Sequence, residues 1–236
     1  MAPKEWSRLC DGWRLTKAVR NAILEQQPTH VIGADEVGYG AWAGPYVVGA
    51  VLAPVTWSLE GLRDSKKMSP KRRDRYEDLL RSDSNIKFYF GSIDNSLIDA
   101  MGAARALELA FQTAINRALA DVRLFTNVVM VGGETVRSVM VLTDGDRKIP
   151  GIQHYNLVKG DDKVPAISAA SVLAKTYRDG EMVKYASTYP AYGWQQNKGY
   201  RSKKHEDGLA EVGTTPLHRM SYSPMSEGKF KQASTA

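Results

Sequence analysis

The sequence predicts an α/β protein: a mixed sheet flanked by helices, with a small helical extension at its C-terminal end. Three observations carry that prediction. Two Val- and Ala-rich runs, Val31 to Ala34 and Tyr46 to Ala53, come first and are separated by a glycine loop. Helical and strand-like stretches then alternate, the order expected of a sheet with helices laid on it. A looser basic section, Tyr192 to Pro224, follows them.

Each element has its own signal. Ser69-Pro70 reads as a cap with proline in the first turn, so a helix is expected from Pro70 to about Arg81. Ile86 to Ser92 alternates as a strand. Ile98, Met101, Leu107, Phe111, Ile115, Leu119 and Val122 recur at helical steps and predict one helix from Ile98 to Val122 with a buried face. Val128 to Val131 and Val139 to Thr143 read as strands joined through "GGETVRS", and Ile152 to Val158 as another. Pro165 to Ala186 reads as a helix whose small face, Ala166, Ala169, Ala170 and Ala174, lets its backbone lie close to a neighbour. A last helix is expected near Ser202 to Val212. The divisions expected are an N-terminal extension (1–28), a main domain (29–190), a C-terminal helical part (191–225) and a disordered polar tail (226–236).

Composition narrows the class. A chain of 236 residues, 43% hydrophobic and 25% charged, can bury a core without staples. Its one cysteine, Cys10, excludes an internal disulfide and suits a reducing cytoplasm. No apolar run is long enough to span a bilayer, and the first twenty residues lack a signal-peptide core. A net charge of +6 leans toward a polyanionic partner such as nucleic acid. A cytoplasmic monomer is expected.

Four carboxylates follow apolar runs: Asp35 and Glu36, then Asp144 in "VLTDGD", then Asp161 in "VKGDDKVPAISAAS". Adjacent residues on a regular strand face opposite ways, so Asp35 and Glu36 share a site only where the strand twists or ends. Gly38 and Gly40 make that possible. Gathered carboxylates repel each other, and a divalent cation removes the repulsion. Hard oxygen ligands select Mg²⁺ or Mn²⁺. Two such ions, about 4 Å apart, clamp the attacking and leaving oxygens of a phosphodiester displacement. Taken singly, Asp144-Gly145 reads as a turn, Asp161-Asp162 as a helix cap and Asp35-Glu36 as a loop start. Together, on a basic chain, they point to a metal-dependent nuclease.

These residues sit in blocks that resemble the ribonuclease HII family (type 2 ribonuclease H). "DEVGYGAWAGP", "LRDSKKMSPKRR", "TDGDRKIP", "VKGDDKVPAISAASVLAKTYRD", "YGWQQNKGY" and "HRMSYSP" occur in the family's order between about Thr29 and Met225. The resemblance implies a ribonuclease H-like catalytic domain over 29–190 and a substrate-binding part over 191–225. It implies hydrolysis of RNA in RNA/DNA hybrids, and cutting at ribonucleotides embedded in duplex DNA, by two metal ions. It assigns Asp35, Glu36, Asp144 and Asp161 as catalytic metal ligands, with Asp162 ranked below Asp161 and Asp179 given a structural role. It assigns Gly38, Tyr39 and Gly40 to the loop that reads the ribose 2′-OH, and Tyr200 to packing against the following deoxyribose. The family loop is usually Gly-Arg-Gly. With Tyr39 in the arginine's place a charged phosphate contact is lost, so weaker affinity or a shifted junction preference is expected, with the chemistry intact. Position 41 is Ala where proline is usual, and Asn197 stands where His is frequent. The rival readings are a same-fold nuclease with altered junction specificity and a catalytically silent hybrid-binding protein.

Lys66 and Lys67, before a helix N-terminus, are the candidate phosphate contacts, while Arg72, Arg73 and Arg75 read as a solvated helix face. His154, His205 and His218 lack zinc spacing. No P-loop or nucleophilic-serine motif occurs.

Overall fold

The computed structural model describes residues 3–124, 130–131, 134–135 and 138–230. Two helices, α1 (Pro3–Gly12) and α2 (Lys17–Gln26), lead into strands β1 (His30–Val37) and β2 (Tyr46–Pro54). Helix α3 (Pro70–Ser82), strand β3 (Lys87–Ile93), and helices α4 (Asn95–Met101) and α5 (Ala103–Leu124) follow. A short pair, β4 (Met130–Val131) and β5 (Glu134–Thr135), precedes β6 (Val139–Asp144) and β7 (Tyr155–Leu157). Helices α6 (Pro165–Thr188), α7 (Trp194–Asn197) and α8 (Lys203–Val212) complete the chain.

The main sheet has the order β3-β2-β1-β6-β7. The first three strands form an antiparallel meander, and β6 and β7 add parallel to β1. This is the mixed sheet flanked by helices that the sequence predicts. On one face, Ile32, Ala34, Ala50 and Leu52 pack against Leu107, Phe111 and Ile115 of α5. On the other, Val31, Val51 and Ala53 pack against Ala166, Ala170 and Leu173 of α6. The small face of α6 does what its residues imply. A Cβ on Gly49 would stand 2.6 Å from the Ala170 carbonyl oxygen, and one on Gly33 would overlap the Ala166 backbone. The start of α6 is thereby pressed onto the strands that carry the acidic residues.

Local chemistry explains most boundaries. Ser69 accepts the Arg72 amide to cap α3, and Ser202 accepts the His205 amide to cap α8. The helix expected over Ile98 to Val122 is two helices. Gly102, at φ +84°, ends α4 and returns its amide to the Ile98 carbonyl, and α5 restarts behind it. Ile152 to Val158 shortens to Tyr155–Leu157. Residues 1–28, assigned no element from sequence, carry α1 and α2. Trp6, Cys10, Trp13, Val19 and Ile23 enter the core on the α6 face.

Of the strand expected at Val128 to Val131 and its connection, only Met130–Val131, Glu134–Thr135 and Ser138 fall among the described residues. Of the tail, Met225–Glu227 forms a 3₁₀ turn and Phe230 packs against the C-terminal cluster of Trp42, Tyr192, Trp194 and Leu209, while 231–236 lie outside the described residues. No described helix is long and apolar enough to cross a membrane.

Candidate active site

Strand register builds the acidic site. Because β1 and β6 run parallel with Ala34 opposite Thr143, the next residue on each strand is a carboxylate, Asp35 and Asp144. Both stand at the C-terminal edge of the parallel pair, where open α/β sheets bind ligands. After β7, the chain makes a 3₁₀ turn over Gly160–Asp162 and enters α6. The Gly160 amide donates to Asp144 Oδ1 at 2.6 Å, and the Ser168 hydroxyl donates to the Asp161 carbonyl, also at 2.6 Å. Asp161 is thus fixed over the strand ends from a third element. One carboxylate oxygen each of Asp35, Asp144 and Asp161 lies within 4.8 Å of the others.

Glu36 joins this group by charge rather than by contact. The β1–β2 ladder continues through Val37, with Asp35 opposite Gly49 and Glu36 opposite Val48. The strand therefore does not end at the acidic pair. Asp144 and Lys66 nevertheless act on both carboxylates, so the two share one electrostatic environment.

The electrostatics of the cluster are unfavourable without a cation. Asp35 is 2% exposed; its Oδ1 accepts the Glu36 amide, and its Oδ2 has no hydrogen-bond partner among the described residues. Burial, then the charges of Glu36 and Asp144, hold the Asp35 carboxyl well above the usual range. Burial, then Asp144, raises Glu36, and burial, then Asp144 and Asp64, raises Asp161. Burial pulls Lys66 down, but Asp35, Asp161, Asp64 and Glu36 outweigh it and hold the ammonium above its ordinary value. An orphaned buried carboxylate oxygen among oxygen-only donors fits a hard divalent cation.

The glycine loop, residues 38–45, is shaped from below by two buried arginines. Arg219 donates to the carbonyls of Gly38, Tyr39, Gly44 and Pro45 at 2.7–3.1 Å. Arg178, from α6, donates to those of Ala43, Pro45 and Lys198 at 2.8–3.0 Å. Neither guanidinium has a carboxylate partner among the described residues; backbone dipoles take the charge. Gly38, at φ +95°, leaves no room for a side chain, because Arg178 Nε and the Pro45 carbonyl occupy the space. From its other side the loop is tied to the C-terminal part. The Trp42 amide donates to the Gly199 carbonyl at 2.8 Å, and the Arg219 amide donates to the Trp42 carbonyl at the same distance.

Tyr200 accepts the Gly38 amide on its hydroxyl at 3.1 Å, and Arg178 lies 5.3 Å from its ring centroid. With Glu36, Ser65, Lys66, Ser171 and Lys175, Tyr200 lines a cavity of about 320 Å³ beside the carboxylates. Tyr39 is 38% exposed, and a side chain on Gly40 would meet nothing. Lys67 forms an ion pair with Asp162 on the exposed rim, and Asp179 pairs with Lys175 at 2.6 Å on α6.

Four features escaped the sequence reading. The sequence assigns no role to Arg178 or Arg219. Arg73 is not a solvated residue: it donates to the Ser65 and Met68 carbonyls and holds the turn that presents Lys66. Arg72 donates to the Gly61 carbonyl. His205 and His218 form a buried pair beneath Tyr200. His218 Nδ1 accepts the Thr215 amide, leaving Nε2–H to face His205 Nε2 at 3.1 Å. His205 Nδ1 lies 3.0 Å from the Tyr200 carbonyl, to which it donates in the complementary neutral tautomer.

Comparison with known proteins agrees with this geometry. The sequence model of the family described as Ribonuclease HII matches residues 32–225. A ribonuclease HII of Halorhodospira halophila is 40% identical over 198 residues, covering 83% of this chain and 92% of the relative. One from Bacteroides thetaiotaomicron is 36% identical over 200 residues, 84% of this chain and 92% of the relative. Among solved structures, the ribonuclease HII in a PCNA complex from Archaeoglobus fulgidus superposes with a TM-score of 0.60 at 22% identity, covering 81% of this chain and 94% of that one. A mutant form of Bst-RNase HIII superposes with a TM-score of 0.66 at 18% identity, covering 86% of this chain and 70% of that one.

Proposed function

The chain belongs to the ribonuclease HII family of metal-dependent endoribonucleases acting on RNA/DNA hybrids, and we propose that it also cuts at ribonucleotides embedded in duplex DNA. We propose further that Asp35, Glu36, Asp144 and Asp161 hold Mg²⁺ or Mn²⁺, two ions during turnover. The observation that carries this reading is the convergence of three carboxylates from separate elements around the orphaned Asp35 oxygen. Divalent cations held there supply a Lewis acid for the phosphoryl group, a water of lowered pKa and charge for the attacking and leaving oxygens.

The chain's own residues do the rest. Asp35 and Asp144 are fixed by the sheet and Asp161 by the turn into α6, so their geometry is set before substrate arrives. Lys66, already charged and exposed at the cluster's edge, neutralises a non-bridging phosphate oxygen. Lys67 exchanges Asp162 for a phosphate farther along the strand. The Gly38–Tyr39–Gly40 backbone, whose first two carbonyls are held by Arg219, meets the ribose edge. Tyr200, locked by the Gly38 amide and by Arg178, packs on the next sugar, where a 2′-OH would crowd the ring and hydrogen would not. A monomer in the cytoplasm suits the single buried thiol and a genomic substrate; sedimentation at micromolar concentration checks the oligomeric state.

The decisive experiment is cleavage mapping on a duplex carrying one ribonucleotide and on a continuous hybrid, in Mg²⁺ and in Mn²⁺, beside Asp144→Asn. Cuts at the ribonucleotide that vanish in the variant are expected. Cutting of the hybrid alone would refute the junction activity, and full activity in Asp144→Asn would refute the metal assignment.

A further inference from the structure

Beneath the glycine loop the side chains form a column that runs from core to surface. Arg219 lies 4.4 Å from the Tyr46 ring centroid, and the Tyr46 and Tyr39 rings lie 5.7 Å apart. Arg147 Cζ lies 4.9 Å from the Tyr39 centroid. A buried guanidinium, two rings tilted by 30° and a partly exposed guanidinium thus follow one another, each cation over a ring. The column is anchored at its inner end: the Tyr46 and Tyr222 hydroxyls pair, and the Tyr222 hydroxyl donates to the Tyr39 carbonyl at 3.0 Å.

Arg147 belongs to the turn after β6, three residues beyond Asp144. That turn is braced by His154, whose ring nitrogens lie 2.8 and 3.0 Å from the carbonyls of Ile152 and Arg147. The Arg147 charge reaches the carboxylate site, where it partly offsets the upward pull on Glu36. Its neighbours are already engaged. Lys66 is surrounded by four carboxylates, Lys67 is paired with Asp162, Lys175 with Asp179, and Arg178 and Arg219 with carbonyls. The Arg147 guanidinium makes no hydrogen bond or ion pair among the described residues. Stacking occupies its face and leaves its N–H edge open.

We propose that Arg147 is a substrate-binding residue that takes a backbone phosphate of the cut strand at the mouth of the carboxylate site, with Tyr39 as the ring that positions it. The proposal rests on the nucleic-acid substrate argued above. A guanidinium held by its face presents two parallel N–H donors, the geometry that a phosphate accepts bidentately. It also gives Tyr39 a role other than direct contact with the sugar: the tyrosine is the platform and the charge comes from the next loop.

Binding of a labelled RNA/DNA hybrid in EDTA, followed by anisotropy across a salt series, tests this without cleavage. Arg147→Ala should weaken binding about tenfold and reduce the slope of log affinity against log salt by about one, the signature of one lost phosphate contact. Tyr39→Ala should move both quantities in the same direction. The double variant should be no weaker than the worse single variant, and Tyr39→Phe should keep the wild-type salt slope. Arg147→Lys should recover the slope but not the full affinity, since it restores charge without the planar fork. Wild-type affinity and slope in Arg147→Ala would overturn the proposal. Fully additive effects of Tyr39→Ala and Arg147→Ala would overturn the platform. Should the wild-type protein bind the hybrid through Arg147 yet cut nothing in Mg²⁺ or Mn²⁺, the nuclease reading would fall and this one would stand.

Discussion

The carboxylate cluster at the ends of β1 and β6 and the arginine pair beneath the glycine loop pose one problem with opposite signs. Each gathers like charges out of water, where a bare ion is costly. The arginines are answered within the chain: Arg178 and Arg219 together donate to six different backbone carbonyls. The carboxylates are not, since Asp35 Oδ2 has no partner among the described residues and burial with mutual repulsion raises Asp35, Glu36 and Asp161. Folding satisfies the first region's charges and leaves those of the second opposed. A self-satisfied buried charge marks a scaffold, and an unsatisfied one marks a site.

That difference predicts stability changes of opposite sign. Arg219→Met should destabilise the protein by about 3–5 kcal/mol, because it strands several loop carbonyls with no replacement donor. Denaturant unfolding of the metal-free protein measures this, and a loss below about 1 kcal/mol would show that water satisfies the loop equally well. Asp35→Asn should instead raise metal-free stability by about 1–3 kcal/mol, by removing a buried charge crowded by Glu36 and Asp144 and satisfied at one oxygen only. The same variant should lose more than about a hundredfold in hybrid cleavage, at least what losing a residue behind a metal ligand costs. Destabilisation by Asp35→Asn would erase the contrast between the two regions.

The two regions also differ in how far the sequence exposes them. Asp35, Asp144 and Asp161 are legible because each ends or follows an apolar run, and strand tips are where sheets present polar groups. Their convergence is not legible. It depends on the parallel register that sets Ala34 beside Thr143, and hydrophobic periodicity identifies a strand without naming its partner. The small face of α6 was readable from its alanines, and it found its glycines at positions 33 and 49. The break at Gly102 was hidden because the apolar steps continue through it on both sides. Arg178 and Arg219 were invisible for a stronger reason: arginine is a surface residue by default, and only the fold assembles the carbonyls that bury it. Helices α1 and α2 went unassigned although Trp6, Cys10 and Trp13 recur at helical steps.

Metal titration sharpens the comparison from the site's side. A cation that binds only the folded cluster stabilises by mass action, about 1.4 kcal/mol at ten times its dissociation constant. Adding Mg²⁺ or Mn²⁺ should raise the melting temperature of the wild-type protein and of Arg219→Met alike. It should leave Asp35→Asn nearly unmoved. Equal stabilisation of all three would place the cation somewhere other than the carboxylates.

Acid should separate the two regions by the smallest margin. The carboxylates titrate above their unfolded values, so the folded protein binds the extra protons and metal-free stability rises as pH falls through their range. The histidine pair under Tyr200 does the reverse. Burial, then the neighbouring His205, pushes His218 down to about 3, so between that value and the unfolded 6.5 it is the unfolded chain that holds more protons. Its contribution is complete above pH 6.5 and drains away below it, about 1 kcal/mol between pH 7 and 5.5. Comparing stability against pH for the wild-type protein and His218→Gln cancels the carboxylate contribution common to both. The wild-type curve should fall more steeply toward acid than the variant's by that amount. Parallel curves would mean that the pair accepts a proton without cost, and that the ground beneath Tyr200 is less rigid than its hydrogen bonds imply.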